Sequence, residues 1–339
     1  MTPRERMIRA FEFADPDRLP TVYHPSPAGL YVHGKKLLDL LVAYPPDNPI
    51  RFDSIPQPPP ETLNSRGEYH EFKKDEFGTT WEYRIFGIAG HPWRYPIEAW
   101  DSPYEFPAVP ATSGPAFEEA RKRLAEEQRT YLVFGASIGL LEKLHHLRPF
   151  EEVLMDLADE KPSLLAFLDR LVDYQRRQIA YHLALGADVI SFGDDWGAQQ
   201  SLLMPPALFR RIFKPRLREL MAPIRAAGRR IFYHSCGAIH PLYGDLVEIG
   251  ANGLWHQIAL YPAEEFAREA ARNRTLLFLH MDRQHLVPLG TPREIAETVK
   301  RYADIHRALG GGAMFYVEIE NDAPFENVEA LVTSIHKYG

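Results

Sequence analysis

The sequence has few cysteines, no long apolar run and no excess of positive charge, and each shortage excludes a class of protein. A single cysteine, Cys236, cannot form a disulfide within the chain, which makes the cytoplasm the expected compartment. No run of about 18 apolar residues is present, so no membrane-spanning helix is predicted. A net charge of −7 argues against nucleic acid or an anionic membrane as partner. The charged N-terminus lacks the apolar core of a signal peptide.

An alternation of helices and apolar strands dominates the chain from residue 115 onward. The 339 residues are 45% hydrophobic and 25% charged, as in an ordinary globular protein. Predicted helices over 115–128, 149–158, 162–185, 205–227, 240–249, 262–272, 291–308 and 324–337 separate predicted strands at 131–135, 188–192, 230–234, 253–256, 276–280 and 313–319. This pattern, without a glycine-rich dinucleotide turn, predicts an α/β protein with one (β/α)8 TIM barrel over residues 1–339.

Two additions to the barrel are expected. Thr2 and Glu5 form a capping box for a first helix, an N-terminal extension that precedes a strand at 19–23. Seven prolines within 44–62 predict an irregular loop there. Alternating apolar and polar residues with glycine punctuation predict a β-hairpin insertion over 68–100, whose aromatic side chains either pack locally or form a lid.

Polar residues follow nearly every predicted strand at its carboxyl end, where barrels collect their catalytic groups. The candidate catalytic residues are Asp194, Asp195, His280 and Tyr316, and the candidate substrate-binding residues from these ends are His24, His256, Gln257 and Asp282. The two adjacent aspartates could instead cap the loop that follows them. His280 and Asp282 are expected to shape the pocket rather than to bind metal.

His234 and Cys236 are the candidate metal ligands because side chains two positions apart lie on the same face of a strand. This spacing allows an imidazole nitrogen and a thiolate to meet one zinc ion, and Gly237 allows the chain to turn away directly afterwards. The alternative is that Cys236 is a small buried apolar residue. His145 and His146 are expected to be ordinary surface or supporting residues.

Two glutamates on the last strand are candidates for a third ligand. Glu318 and Glu320 have the same parity as Tyr316, so either carboxylate could complete a site with three protein ligands and one open position. The alternative for both glutamates is an ion pair with Arg230 or Arg283.

Several segments resemble, in order along the chain, motifs of the uroporphyrinogen decarboxylase-like superfamily. Residues 193–199 with 205–215 resemble its G-D-D-x-G-x-Q … P-x-x-F-R-x-x-x-x-P segment, 234–237 with 250–251 its H-x-C-G … G-A segment, 290–294 its G-T-P-E-E helix start, 324–327 its P-x-E-N segment, and 2–18 its T-x-R-E-R … P-D-R-x-P opening. The resemblance implies a (β/α)8 barrel and places Gln199 among the substrate-binding residues.

Within this superfamily the resemblance favours the methyltransferase branch. True decarboxylases carry an Arg-rich segment that binds substrate carboxylates, whereas this chain has no arginine between Arg18 and Arg51. Corrinoid-dependent methyltransferases carry H-x-C and a later cysteine as zinc ligands. His234 and Cys236 match the first two, and residues 317–322 offer glutamates where the later cysteine would stand. The expected function is therefore zinc-dependent methyl exchange with a corrinoid protein, and the sequence leaves open whether the chain forms a homodimer.

Two alternatives stay open. One is a cofactor-free carboxy-lyase acting on a tetrapyrrole or a smaller carboxylate. In that reading Asp53, a further candidate substrate-binding residue, or Asp194 would stabilise a protonated pyrrole-like intermediate. One of Arg84, Arg94 and Arg283 would hold the carboxylate. The other is a ligand-binding barrel that has lost catalysis.

Overall fold

Ten strands, twelve α-helices and two short 3-10 helices are found in the residues that the computed structural model describes, 1–51 and 54–339. The strands are β1 Thr21–Pro25, β2 Glu71–Lys74, β3 Thr80–Tyr83, β4 His91–Arg94, β5 Phe134–Ile138, β6 Val189–Gly193, β7 Arg230–His234, β8 Gly253–Trp255, β9 Leu276–His280 and β10 Ala313–Ile319. The helices are α1 Pro3–Glu12, α2 Pro27–Ala43, α3 Pro115–Glu127, α4 Leu141–Leu147, α5 Phe150–Ala158, α6 Pro162–Leu185, α7 Pro206–Ala226, α8 His240–Ile249, α9 Ala263–Arg272, α10 Leu286–Leu289, α11 Pro292–Arg307 and α12 Phe325–Tyr338. Asp53, a predicted substrate-binding residue, lies outside the described residues.

Seven parallel strands of the described chain form one curled sheet in the order β1-β10-β9-β8-β7-β6-β5. The last strand pairs with the first, in the register Thr21↔Phe315, and this pairing bends the sheet towards a barrel. On the other edge of β1, Asn48 replaces a strand: its Oδ1 accepts the Tyr23 N–H at 2.9 Å, and its Nδ2 donates to the Tyr23 carbonyl at 3.1 Å. The predicted α/β TIM-barrel fold is confirmed, with seven strands joined in this sheet among the described residues.

Helix α1 covers the amino ends of the strands. The guanidinium of Arg4 makes two hydrogen bonds, of 2.6 and 2.7 Å, to the carboxylate of Asp188, which directly precedes β6. Met7 and Phe11 pack against the side chains inside the barrel. Because this end is closed by the helix, the carboxyl ends of the strands form the accessible end, which we call the barrel mouth.

Side chains along the strands alternate between the barrel interior and the surrounding helices. The interior group comprises Val22, Phe134, Val189, Phe232, Trp255, Leu276, Phe278, Met314 and Tyr316. Their sequence neighbours, such as Tyr233, Leu279 and Phe315, belong to the larger core between sheet and helices. The next interior positions beyond Phe232 and Tyr316 therefore fall at the mouth.

The insertion predicted as a hairpin has one strand more than expected. Strands β2, β3 and β4 form an antiparallel sheet in that order. It contacts the barrel through α4, where Thr79 Oγ1 donates to the His146 carbonyl at 2.7 Å and the Trp81 ring packs edge-on against the His146 ring. Among the described helices, none combines the length and apolar character that crossing a bilayer requires.

Candidate metal centre

The end of β7 brings an imidazole and a sulfur together. Cys236 Sγ lies 3.5 Å from His234 Nε2. His234 Nδ1 lies 3.1 Å from the carbonyl oxygen of Trp255, an acceptor, so Nδ1 carries the proton and Nε2 keeps its lone pair towards the sulfur. The structure thus places both side chains on the interior side of the mouth, with the ring already oriented as a metal ligand.

Asp195, which follows β6, is the third member of this group. Its Oδ1 lies 3.5 Å from His234 Nε2 and accepts the backbone N–H of Cys236 at 2.7 Å. One ligand atom from each of the three residues lies within 4.8 Å of the others. We call Asp195, His234 and Cys236 the mouth triad.

The separations within the mouth triad fit a tetrahedral zinc site. With Zn–S near 2.3 Å and Zn–N and Zn–O near 2.0–2.2 Å, ideal tetrahedral angles give S···N of about 3.6 Å and N···O of about 3.4 Å. The corresponding separations here, Sγ to Nε2 and Nε2 to Oδ1, are both 3.5 Å. A nitrogen, a sulfur and a carboxylate oxygen are also the ligand types that zinc accepts.

The structure does not bring either predicted glutamate into the mouth triad. Glu318 Oε2 accepts a hydrogen bond from Arg283 Nη1 at 3.0 Å and lies 3.7 Å from His280 Nε2, which matches the ion-pair alternative. Glu320 lines the outer rim, where burial and the Glu318 charge raise the pKa of its carboxyl group. Asp195, predicted as a catalytic residue, occupies the position that we expected one of the glutamates to fill.

Burial governs the protonation of the mouth triad. Desolvation, followed by the negative charge of Asp195, raises the pKa of the Cys236 thiol to about 12. Desolvation also lowers the pKa of His234, so the imidazole is neutral at pH 7. A neutral imidazole is ready to bind a metal, whereas Cys236 must release its proton as the ion enters.

Aromatic rings form the floor beside the mouth triad. The Trp255 ring lies between His234, at a centroid distance of 4.0 Å, and Tyr316, at 4.2 Å. Its Nε1–H donates to His280 Nδ1 at 3.2 Å, and burial lowers the pKa of His280 to about 3, so this ring is a neutral acceptor. His24 stacks on Tyr316 at 6.2 Å. Three predicted residues, His280, Tyr316 and His24, therefore meet around a tryptophan that the sequence analysis did not select.

Two predicted glutamines border the mouth triad on the β8 side. Gln199 Nε2 donates to Gln257 Oε1 at 3.2 Å, and the same oxygen accepts the N–H of Gly237 at 3.0 Å. Both glutamines line a cavity of about 90 Å³ together with Asp282. Asp282 Oδ1 accepts the backbone N–H groups of residues 284 and 285, which stabilises the turn after β9. These three predicted residues lie at the mouth, and Gln257 also fixes the turn that carries Cys236.

The structure places two predicted residues away from the mouth. Each directly follows an interior-facing position of its strand, so its side chain points towards the surrounding helices instead. Asp194 is fully buried, and its Oδ1 accepts the N–H groups of Leu140 and Glu142. Burial raises the pKa of Asp194 to about 8, although these donors oppose the change. Asp194 thus anchors the start of α4. This role resembles the alternative in which the adjacent aspartates cap the loop that follows them, except that the capped segment is the start of α4.

His256 is the second displaced residue. It is buried behind the sheet against the rings of Tyr261 and Phe266, and neither ring nitrogen has a partner among the described residues. Burial lowers its pKa to about 3. Asp194 and His256 are therefore buried outside the mouth.

Comparisons with known proteins agree with this architecture. Residues 110–338 match the uroporphyrinogen decarboxylase (URO-D) family. A methyltransferase from Methanosarcina mazei superposes with a TM-score of 0.67 at 18% identity, covering 100% of this chain and 99% of that one. A B12-independent methionine synthase from Shewanella sp. W3-18-1 gives a TM-score of 0.44 at 10% identity, over 79% of this chain and 72% of that one. No curated protein sequence matched. At 18% identity the similarity to the Methanosarcina mazei methyltransferase establishes the fold alone.

Proposed function

The chain belongs to the uroporphyrinogen decarboxylase family, and from this premise we propose that it is a zinc-dependent methyltransferase that exchanges a methyl group with a corrinoid protein. The observation that carries the proposal is the mouth triad, in which a sulfur, an imidazole nitrogen and a carboxylate oxygen converge at the accessible end of the barrel. Zinc held by these three residues would keep one position open, where it would lower the pKa of a substrate thiol or polarise a methyl donor.

The neighbours of the mouth triad support this role by fixing the ligands in advance. The Trp255 carbonyl sets the tautomer of His234. The Cys236 N–H holds the Asp195 carboxylate, and Gln257 holds the following turn. Partners of this kind commonly raise metal affinity, because the ligands need little reorganisation on binding.

The rings around Trp255 supply an apolar surface next to the triad. Trp255 and Tyr316 would exclude water from a methyl group presented to the site, while the neutral His280 can donate a hydrogen bond from Nε2 to a bound substrate. Arg283 stands at the rim, where its guanidinium is paired with Glu318. The substrate expected here is a small molecule with a methyl group or a thiol.

The carboxy-lyase alternative has weaker support. A substrate with several carboxylates needs several cations, yet Arg283 at the mouth is already paired with Glu318. Arg84, another candidate, forms an ion pair with Glu82 inside the insertion. Two of the three arginines considered for this role, Arg84 and Arg283, are therefore already paired with glutamates.

Metal analysis of matched variants tests the proposed centre. Cobalt(II) replacing zinc should show a thiolate-to-metal charge-transfer band in the wild type that disappears in Cys236→Ser and His234→Ala and weakens in Asp195→Asn. Glu318→Gln is the matched control, a carboxylate at the same mouth but outside the triad, and should retain the band. A band that persists in Cys236→Ser, or that requires Glu318, would refute the assignment of ligands.

Activity is tested separately with methylcobalamin and a panel of thiols. Loss of the methyl–cobalt absorbance should depend on zinc and on Cys236. Release of CO2 from a tetrapyrrole carboxylate, unaffected by chelators, would instead establish the carboxy-lyase. Tight binding without turnover of any donor or acceptor would identify a barrel without catalysis.

A further inference from the structure

We propose that Glu142, His145 and His146 form a second site for a divalent cation of the zinc type. All three lie on α4, which begins at the mouth just after β5. One ligand atom from each lies within 4.8 Å of the others, and the set shares no residue with the mouth triad. We call it the α4 cluster.

The helix geometry directs both histidines towards one carboxylate. His145 Nε2 lies 2.9 Å from Glu142 Oε1, and His146 Nε2 lies 3.3 Å from Glu142 Oε2. Positions i+3 and i+4 are the two neighbours of residue i on the next helical turn, so consecutive histidines can stand on either side of Glu142. Their ring planes cross at 76° with centroids 4.6 Å apart. Two imidazole nitrogens and one carboxylate are a known zinc donor set that leaves one position open.

Surrounding groups hold the α4 cluster in place before any ion binds. The His146 ring packs against Trp81 of the insertion at 4.7 Å, and the His145 ring packs against Phe150 at 5.3 Å. The backbone N–H of Glu142 donates to Asp194 at 2.9 Å. A site whose ligands are fixed by packing loses little entropy on binding metal.

Exposure and charge also suit a small cation. The side chains of Glu142, His145 and His146 are 28%, 20% and 23% exposed, so an ion can reach them while most bulk water is excluded. Glu142 presents its carboxylate to both imidazoles, and a divalent ion would bind between these three side chains.

A cation here would stabilise the structure. The α4 cluster touches the insertion through His146 and the end of β6 through Asp194, the residue before a member of the mouth triad. Bound metal would therefore fasten the insertion to the barrel mouth, and unfolding would require its release.

Zinc titration in a Cys236→Ser background tests the α4 cluster, because this change disables the mouth triad. Untagged, metal-stripped protein would be titrated with Zn²⁺ by calorimetry, and its thermal unfolding followed with and without Zn²⁺. We expect one equivalent to bind and the unfolding midpoint to rise. Adding His146→Ala or Glu142→Gln should abolish both effects.

A matched control separates the cluster from an ordinary histidine–carboxylate pair. His240 Nε2 lies 3.1 Å from Glu269 Oε2, and the described part of the chain offers no third ligand beside them, so adding His240→Ala should leave zinc binding unchanged. If one cluster variant fails to fold, as judged by circular dichroism of the metal-free protein, His145→Ala replaces it. Absence of zinc binding in Cys236→Ser, or binding that survives the loss of His146, would overturn the proposal. Neither result bears on the cobalt–thiolate band of the mouth triad.

Discussion

Replacing Tyr233 by Phe removes one oxygen atom from a buried hydrogen-bond chain behind the mouth triad. Trp196 Nε1 donates to Tyr233 Oη at 2.9 Å, and this hydroxyl donates to Asp194 Oδ2 at 3.3 Å. All three residues are 0% exposed. Phe retains the stacking of the ring on Phe192, so the substitution isolates the hydroxyl.

The expected loss of stability follows from the groups left behind. The Trp196 N–H would have no acceptor, and a buried unsatisfied donor costs about 1–3 kcal/mol. Asp194 would lose one donor, a net loss of about 0.5–1.5 kcal/mol, but would keep the N–H groups of Leu140 and Glu142. We therefore expect the free energy of unfolding to fall by about 2–3 kcal/mol.

Urea unfolding followed by circular dichroism measures this difference, with Tyr31→Phe as the control. Tyr31 is 44% exposed, and its hydroxyl has no hydrogen-bond partner in the part of the chain that the structure describes, so its loss should change stability by less than about 0.5 kcal/mol. A Tyr233→Phe protein as stable as the control would show that the hydroxyl does not satisfy the indole. The hydrogen bonds from Trp196 through Tyr233 would then not hold Asp194 in place.

Three further predictions concern backbone and charge. Gly237 has φ of +79°, and an added Cβ would lie 2.2 Å from the backbone of Gly197, so Gly237→Ala should lower the free energy of unfolding by more than about 2 kcal/mol; an unchanged urea midpoint would contradict this. Gly244 within α8 has open space around its Cβ position, so Gly244→Ala should stabilise by about 0.4–1 kcal/mol in the same assay, and a loss would contradict it. Burial lowers the pKa of His306 from 6.5 to about 4. The free energy of unfolding should therefore include about 3 kcal/mol that is fully present above pH 6.5 and is lost as pH falls from 6.5 through 4, because the unfolded chain takes up the proton more readily. Unfolding of His306→Gln at pH 7 and pH 4.5 should show a smaller acid loss than the wild type, and an equal loss would refute this.

Local periodicity explains why the elements were predictable and also where the prediction failed. Strand β7 was predicted with its observed bounds, whereas β5 begins at Phe134, three residues later than expected. Side chains from elsewhere occupy part of the backbone before Phe134: Arg4 Nη1 donates to the Tyr131 carbonyl, and Asp188 accepts the Val133 N–H. These partners come from distant parts of the chain, which a local pattern does not reveal.

Helix α2 was not predicted, although Ser26 and Pro27 form a recognisable start. Two glycines weakened the helical pattern. Gly29 is needed because an added Cβ would lie 2.3 Å from the carbonyl oxygen of Ile319, and Gly34 has φ of +55° at a kink. Close packing against the end of β10 therefore overrides helix propensity at the first of these positions.

Strand order, rather than parity, decides which carboxylate joins His234 and Cys236. Parity correctly indicated that Glu318 faces the interior, but β10 is three strands from β7, which is about 14 Å along the curved sheet at about 4.8 Å per strand. β6 is the neighbour of β7, in the register Gly193↔His234, so Asp195 and Cys236 each lie two residues beyond a paired position and come level with each other. In a (β/α)8 barrel, strands that follow each other in sequence lie side by side, so the sequence alone could have predicted that β6 neighbours β7. The register therefore ranks Asp195 above both glutamates as the third ligand, which is the difference that Asp195→Asn and Glu318→Gln measure.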